Sequence, residues 1–136
     1  MSLITPPDVP QPIGSYSALW EVELDHRRTL VTFSGLVGVD ADGRVGATVE
    51  EQLQLVFAGL EQVLAHYGAA PGAVGKLLTF LRDDVPFGDY AQARSAIYER
   101  LYPDGGYPAH SLAKVSALAA PELLVEVEGM LLVEDR

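Results

Sequence analysis

An α+β sandwich, two helices laid on one face of a single sheet, is the architecture that the patterning of this chain predicts. Three observations predict it. The run from Thr48 to Gly68 carries the capping and the periodicity of a long amphipathic helix. Five other runs alternate with period two or are rich in β-branched and aromatic residues, as strands are. Their order is β-hairpin, helix, strand, helix, strand, strand. At 136 residues the chain has the size of one domain with a sizeable core.

The elements follow in order. Residues 1–13 contain Pro6, Pro7, Pro10 and Pro12, which forbid a helix and predict an extended arm. Trp20-Glu-Val-Glu-Leu24 alternates, with Trp20, Val22 and Leu24 expected to face inward. Thr29 to Phe33 pairs with it as a hairpin across the polar turn Asp25-His-Arg-Arg28. Gly35 allows a bulge or a close backbone approach, and Asp40-Ala-Asp-Gly43 is a turn. The first helix opens with a capping box, Thr48 and Glu51, and shows one stripe through Leu53, Val56, Phe57, Leu60 and Leu64. Gly68 ends it. Val74 to Arg82 reads as a strand, with Leu77, Thr79 and Leu81 on one face and Leu78 and Phe80 on the other. A second helix is predicted from about Pro86 to Leu101, capped by Asp83 or Asp84, with Phe87, Tyr90, Ile97, Tyr98 and Leu101 on its apolar side.

Two strands close the chain: Tyr107 to Ser116, and Leu123 to Val133 after the short turn Ala119-Ala-Pro-Glu122. In the last strand Leu123, Val125, Val127, Leu131 and Val133 share one face. Leu124, Glu126, Glu128, Met130 and Leu132 share the other. The strands 74–82 and 123–133 are therefore apolar on both faces, yet two helices cover only one. The other face is expected to be covered by a partner subunit.

Composition narrows the function classes. Nine Lys and Arg against nineteen Asp and Glu give a net charge of -10, which disfavours nucleic acid and anionic membranes. Cysteine is absent, so disulfides, thiolate nucleophiles and cysteine metal sites are excluded. No apolar run reaches the roughly 20 residues of a membrane span. The N-terminus lacks the basic-then-apolar pattern of a signal peptide, so a cytoplasmic protein is expected. The histidines His26, His66 and His110 lie far apart, with no metal-ligand spacing, and no metal site is expected. His26 reads as a solvated turn residue and His66 as a cation at a helix C-terminus. Ser15, Ser17 and Ser34 would be nucleophiles only beside a base. What remains is His110 and the pair Glu126 and Glu128. A solvated strand face is the plain reading of the pair. Set among Leu124 and Met130, however, a carboxylate has its pKa raised toward a useful acid-base range. His110, expected on the adjacent strand, could orient it or share a proton.

At these residues the sequence resembles the RidA/YjgF family of reactive-intermediate deaminases, also called endoribonuclease L-PSP-like. Gly14-Ser-Tyr16 resembles the family's Gly-Pro-Tyr, and Thr32-Phe-Ser-Gly35 its strand ending in Ser-Gly-Gln. Gln52 sits where the family has a Gln, and Val74-Gly-Lys76 resembles its Val-x-Lys. Pro108-Ala-His-Ser111 resembles Pro-Ala-Arg-Ser, and Leu124-Val-Glu-Val-Glu128 resembles Ile-Glu-Ile-Glu. The resemblance implies a chorismate-mutase-like fold assembled as a homotrimer, with sheets forming an inner barrel and a ligand cleft between subunits. Active members hydrolyse 2-imino acids or their enamine tautomers to 2-keto acids and ammonia, with no cofactor. The carried-over site is Tyr16, Gly35 and Glu126, with Ser34, Leu36, Phe87 and Ala109 as further lining residues.

His110 stands where the family's carboxylate-clamping Arg stands. A guanidinium is permanently charged and grips a carboxylate bidentately, whereas neutral imidazole offers one donor. Losing such a pair costs on the order of 1.5–3 kcal/mol. Leu36 likewise replaces the Gln of Ser-Gly-Gln. Two functions are therefore expected as alternatives. One is a cofactor-free imine or enamine hydrolase, with Glu126 directing water and His110 as polariser or acid. The other is a small-ligand-binding or interaction trimer that has lost the chemistry. A nuclease is the least favoured.

Overall fold

The computed structural model describes residues 1–134. Six strands form one sheet: β1 (Ser2–Ile4), β2 (Leu19–Asp25), β3 (Arg28–Val37), β4 (Val74–Arg82), β5 (Ala109–Val115) and β6 (Val125–Glu134). Helix α1 (Val49–His66) and helix α2 (Phe87–Leu101) join β3 to β4 and β4 to β5. The sheet order is β1-β2-β3-β6-β4-β5. Only β4 and β5, joined through α2, run parallel; the other neighbours are antiparallel.

Helix α1 forms as its sequence predicts. Thr48 Oγ1 accepts the Glu51 N–H at 3.1 Å, while Glu51 reaches one residue further back than a standard capping box, to the Ala47 N–H at 2.7 Å. Its stripe, Leu53, Val56, Leu60 and Val63, is almost fully buried. At the other end Gly68 takes φ +61°, and the Ala69 and Gly68 N–H groups donate to Leu64 and Ala65 carbonyls in a Schellman pattern. The core lies between the two helices and the sheet face that carries Val31, Phe33, Leu77, Leu81, Val125, Val127 and Leu131.

Several expectations are corrected. The N-terminal arm is extended but not free: Ser2–Ile4 pairs with Leu19–Glu21 as an edge strand, and Val9 is buried in the core. In β2 it is Leu19 that points inward; Trp20 and Leu24 are exposed and Val22 is half-buried. A one-residue shift of register exchanges the two faces of a strand. Helix α2 starts after Pro86 with no side-chain cap. Pro86 itself holds the cap position, and Asp84, two residues earlier, pairs with Arg82 at 2.6 Å. Phe87 is half exposed, and α2 buries Tyr90, Ala93 and Ile97. Finally, β5 is not the neighbour of β6, because β4 lies between them.

Candidate functional site

Strand order decides which candidates meet. Glu126 on β6 lies opposite Val37 on one side and Phe80 on the other. Phe80 belongs to the face away from the helices, and so does Glu126. His110 lies opposite Leu77, a core residue of the helix-facing side. So His110 and Glu126 sit on opposite faces with a strand between them. Within one chain His110 cannot orient Glu126 or share its proton.

The Glu126 carboxylate rests on β3. The ladder slips between Phe33 and Leu36, which brings Gly35 beneath it. A Cβ at Gly35 would stand 2.2 Å from Glu126 Oε1, so a larger residue there would displace the carboxylate from its place. Burial, and secondarily the Glu128 charge, push the Glu126 pKa up from its ordinary value. Ser34 is held beside this point: its Oγ donates to the Ser17 carbonyl at 2.7 Å and its N–H to Ala18. Among the described residues that hydroxyl has a backbone carbonyl, not a base, as its hydrogen-bond partner.

The same open face carries a groove of about 550 Å³. Leu3, Trp20, Leu78 and Met130 supply its apolar lining, with Tyr16, Ser34, Lys76 and Glu128 as polar members. Tyr16 is half exposed, its Oη accepting the Ile13 N–H at 3.3 Å. Lys76 Nζ donates to Ser111 Oγ at 2.9 Å. Leu36 is buried beside Gly59 of α1, on the helix side and away from the groove. Ala109 is exposed on β5 opposite Lys76.

The second constellation lies on the helix side. His110 Nε2 sits 2.8 Å from Thr79 Oγ1 and 3.4 Å from Tyr90 Oη. Nδ1 has no hydrogen-bond partner among the described residues. Burial, then the Arg94 and Lys76 charges, lower the His110 pKa below its ordinary 6.5. The ring is neutral at pH 7 and serves as a single donor or acceptor. A cavity of about 380 Å³ opens beside it, lined by Arg94, Ser95, Tyr98, Glu99, Tyr107, Pro108 and His110. The ring of Phe87 lies 5.9 Å from that of Tyr90 at the edge of this region. The sequence reads Thr79 only as a face residue of its strand and Tyr90 only as part of the apolar side of α2, and it does not mark Arg94. The available signal for Arg94 was its position four residues after one tyrosine and four before another on α2.

The other histidines line neither cavity. His66 Nδ1 lies 2.9 Å from Asp8 and ties α1 to the N-terminal arm, and His26 is exposed in the hairpin turn. Among the described residues no cluster of His, Asp and Glu could hold a metal ion. Among the described residues no helix is long and apolar enough to cross a membrane.

The lowered His110 pKa has a testable sign. Between the folded value and 6.5, the unfolded chain binds a proton that the folded chain refuses. Stability is therefore lost as pH falls below about 6.5. His110→Asn is expected to lose less of its thermal midpoint than the unsubstituted protein between about pH 7 and pH 5. Parallel losses in thermal melts would show that His110 titrates alike in both states.

The sequence family described as Endoribonuclease L-PSP matches residues 7–133. The chain belongs to this family, the RidA/YjgF proteins. Solved RidA/YjgF structures superpose over nearly the whole chain. RidA from the Antarctic bacterium Psychrobacter is 23% identical, with a TM-score of 0.79 and coverage of 96% of this chain and 98% of that one. TdcF from E. coli, solved with bound serine, is 21% identical, with a TM-score of 0.77 and coverage of 96% and 98%. YyfA from Yersinia pestis, a Rid-family protein of unknown function, is 25% identical, with a TM-score of 0.75 and coverage of 96% and 97%. No curated protein matches the sequence. The RidA/YjgF fold is thus established for this chain.

Proposed function

We propose that the chain assembles as a homotrimer and hydrolyses a small imine or enamine in clefts between subunits. Water would add to the C=N carbon of a 2-imino acid, and ammonia would leave to give the 2-keto acid. Glu126 would take a proton from the attacking water and return it to the departing nitrogen. No cofactor enters this scheme.

The observation that carries the reading is the half-buried Glu126 carboxylate, poised over Gly35 with a raised pKa. A base whose pKa is moved toward neutrality combines availability with proton affinity. The trimer is supported by the apolar open face, where Leu3, Trp20, Met130 and Leu132 are all exposed. It is also supported by the separation of His110 from Glu126. His110 and Glu126 fall on opposite faces, so one cleft would contain both only if another copy supplied one of them. TdcF, with its bound serine, is consistent with a small polar carboxylate as ligand.

His110 favours a second reading, a trimer that binds a ligand without turning it over. Its neutral ring, engaged by Thr79 and Tyr90, does not replace a guanidinium clamp.

The test is direct. Generate 2-iminopropanoate enzymatically and trap the residual imine with semicarbazide. Hydrolysis by this protein appears as less trapped imine and more pyruvate. Light scattering at micromolar concentration should return a mass three times that of the chain. A monomer would remove the shared cleft. An unaccelerated imine decay, with ligand binding retained, would leave the binding-only reading.

A further inference from the structure

The site as proposed lacks a permanent cation at position 110, and the helix side of the fold holds one close by. Arg94 projects from α2 into the same cavity that His110 borders. Its guanidinium carbon stands 5.3 Å from the Tyr90 ring centre and 5.8 Å from that of Tyr98. Residues at i and i+4 share a helix face, so Tyr90, Arg94 and Tyr98 form one ladder. The two rings fix the guanidinium by their faces and leave its N–H edges free. Among the described residues Arg94 and the exposed turn residue Arg27 form no ion pair, whereas Arg28, Arg44, Arg82 and Arg100 each have a carboxylate. Glu99 shares the cavity but stays outside ion-pair distance.

We propose that Arg94 is the residue that binds the ligand's carboxylate, from α2 rather than from β5, and that the ligand's carbon skeleton packs on the cavity's tyrosines. This rests on the reading of the His110 side as half of the ligand cleft. The exchange has a physical logic. Arg and Arg side by side would repel, whereas a neutral imidazole beside Arg94 does not. His110, anchored through Nε2 to Thr79, presents Nδ1 as a single hydrogen-bonding atom next to the cation. Tyr98 and Tyr107 stack with ring centres 5.4 Å apart, and Tyr107 is largely exposed. Pro108 completes an apolar wall. A carboxylate carrying a flat or apolar substituent matches a guanidinium bordered by such a wall. The family's Arg position on the strand and this helix position would then reach the same anion from two directions.

Benzoate is the probe, with benzamide as its uncharged isostere, titrated by calorimetry into the intact protein. Benzoate is expected to bind at least about tenfold more tightly than benzamide, the lower end of the range for a charge-assisted contact. Arg94→Gln should erase that preference and weaken benzoate by at least about tenfold, while Arg94→Lys keeps part of it. His110→Gln should leave most of the preference in place. A thermal melt of each variant shows that it is folded. Wild-type benzoate affinity in folded Arg94→Gln would overturn the inference, as would benzoate and benzamide binding alike, or no benzoate binding up to about 10 mM. These readouts do not depend on turnover. If imine hydrolysis requires Glu126 while benzoate ignores Arg94, the inference fails and the hydrolase reading stands. If benzoate binds through Arg94 while imine is not consumed, the reverse holds.

Discussion

Glu126→Gln is expected to slow imine hydrolysis by about 10²- to 10⁴-fold, the range typical of losing a general acid-base group. Glutamine keeps the shape of the side chain, so it can occupy the same place over Gly35. What it loses is the proton-accepting oxygen. The fall should appear in kcat with little change in KM, because the lost interaction belongs to the transition state. Stability should not fall with it. The folded pKa of Glu126 is raised, so the folded chain holds this proton more tightly than the unfolded one. That contribution is present at low pH and is lost as pH rises through the raised value. At neutral pH, then, the carboxylate is a mild burden and Gln is expected to be neutral or slightly stabilising. A variant that is folded, equally or more stable, and slow would place Glu126 in the chemistry rather than in the scaffold. Undiminished turnover would remove it. The shared cleft adds a check. Ser95 lines the His110 cavity from the exposed side of α2, so Ser95→Trp should block that half without touching the core. Mixed with Glu126→Gln and reassembled, the two inactive chains should regain about a quarter of the wild-type rate, the share of clefts that draw both intact halves.

The parts of this fold that the sequence reveals are those with one strong period and a defined stop. Helix α1 is the clearest case, since Thr48, a continuous stripe and Gly68 agree at every level. Strand β6 is another, because Val125, Val127, Leu131 and Val133 stay in phase across it and are all buried. What period alone does not carry is which face receives the helices. Trp20, Val22 and Leu24 alternate as well as any inward set, yet Leu19 is the buried residue of that strand. Both faces of this sheet are apolar, so alternation gives a two-fold answer. Strand order is likewise invisible to period. β5 and β6 are consecutive in the chain, and β4 nonetheless lies between them. That single insertion, with the register of His110 on Leu77, separates two residues that chain proximity had joined. The edge strand Ser2–Ile4 has too few residues to show a pattern at all. The Glu126–Gly35 contact is legible in part: a glycine at a strand end allows close backbone approach, and the bulge supplies it. Arg94 is not, because a lone arginine on a helix is normally a solvated one.

Gln52→Leu is expected to destabilise the domain by about 3–5 kcal/mol, the largest single-site loss of stability anticipated in this chain. Gln52 is wholly buried on α1, a polar side chain in an apolar setting. Its cost is met by a complete set of partners. The amide nitrogen donates to the Gly46 and Glu122 carbonyls, each at 2.8 Å, and the amide oxygen accepts the Leu124 N–H at 2.8 Å. One side chain thereby fixes the loop before its own helix and the start of the last strand, more than 70 positions away in the chain. The approach is close enough that a Cβ on Gly38 would stand 2.6 Å from the Gln52 Cα. Leucine fills the volume but leaves one N–H and two carbonyls without partners, and an orphaned buried group costs roughly 1–3 kcal/mol. Gln52→Glu separates hydrogen bonding from shape. A protonated carboxyl can still accept from Leu124 and donate to one carbonyl; an ionised one faces two carbonyl oxygens at hydrogen-bond distance. Its folded pKa must therefore rise, and the loss of stability should be small near pH 4 and deepen as pH climbs toward neutrality. Denaturant unfolding across that range measures it. A flat profile would mean that the Gly46 and Glu122 contacts contribute little, and that the anchoring of β6 rests on the Leu124 N–H alone.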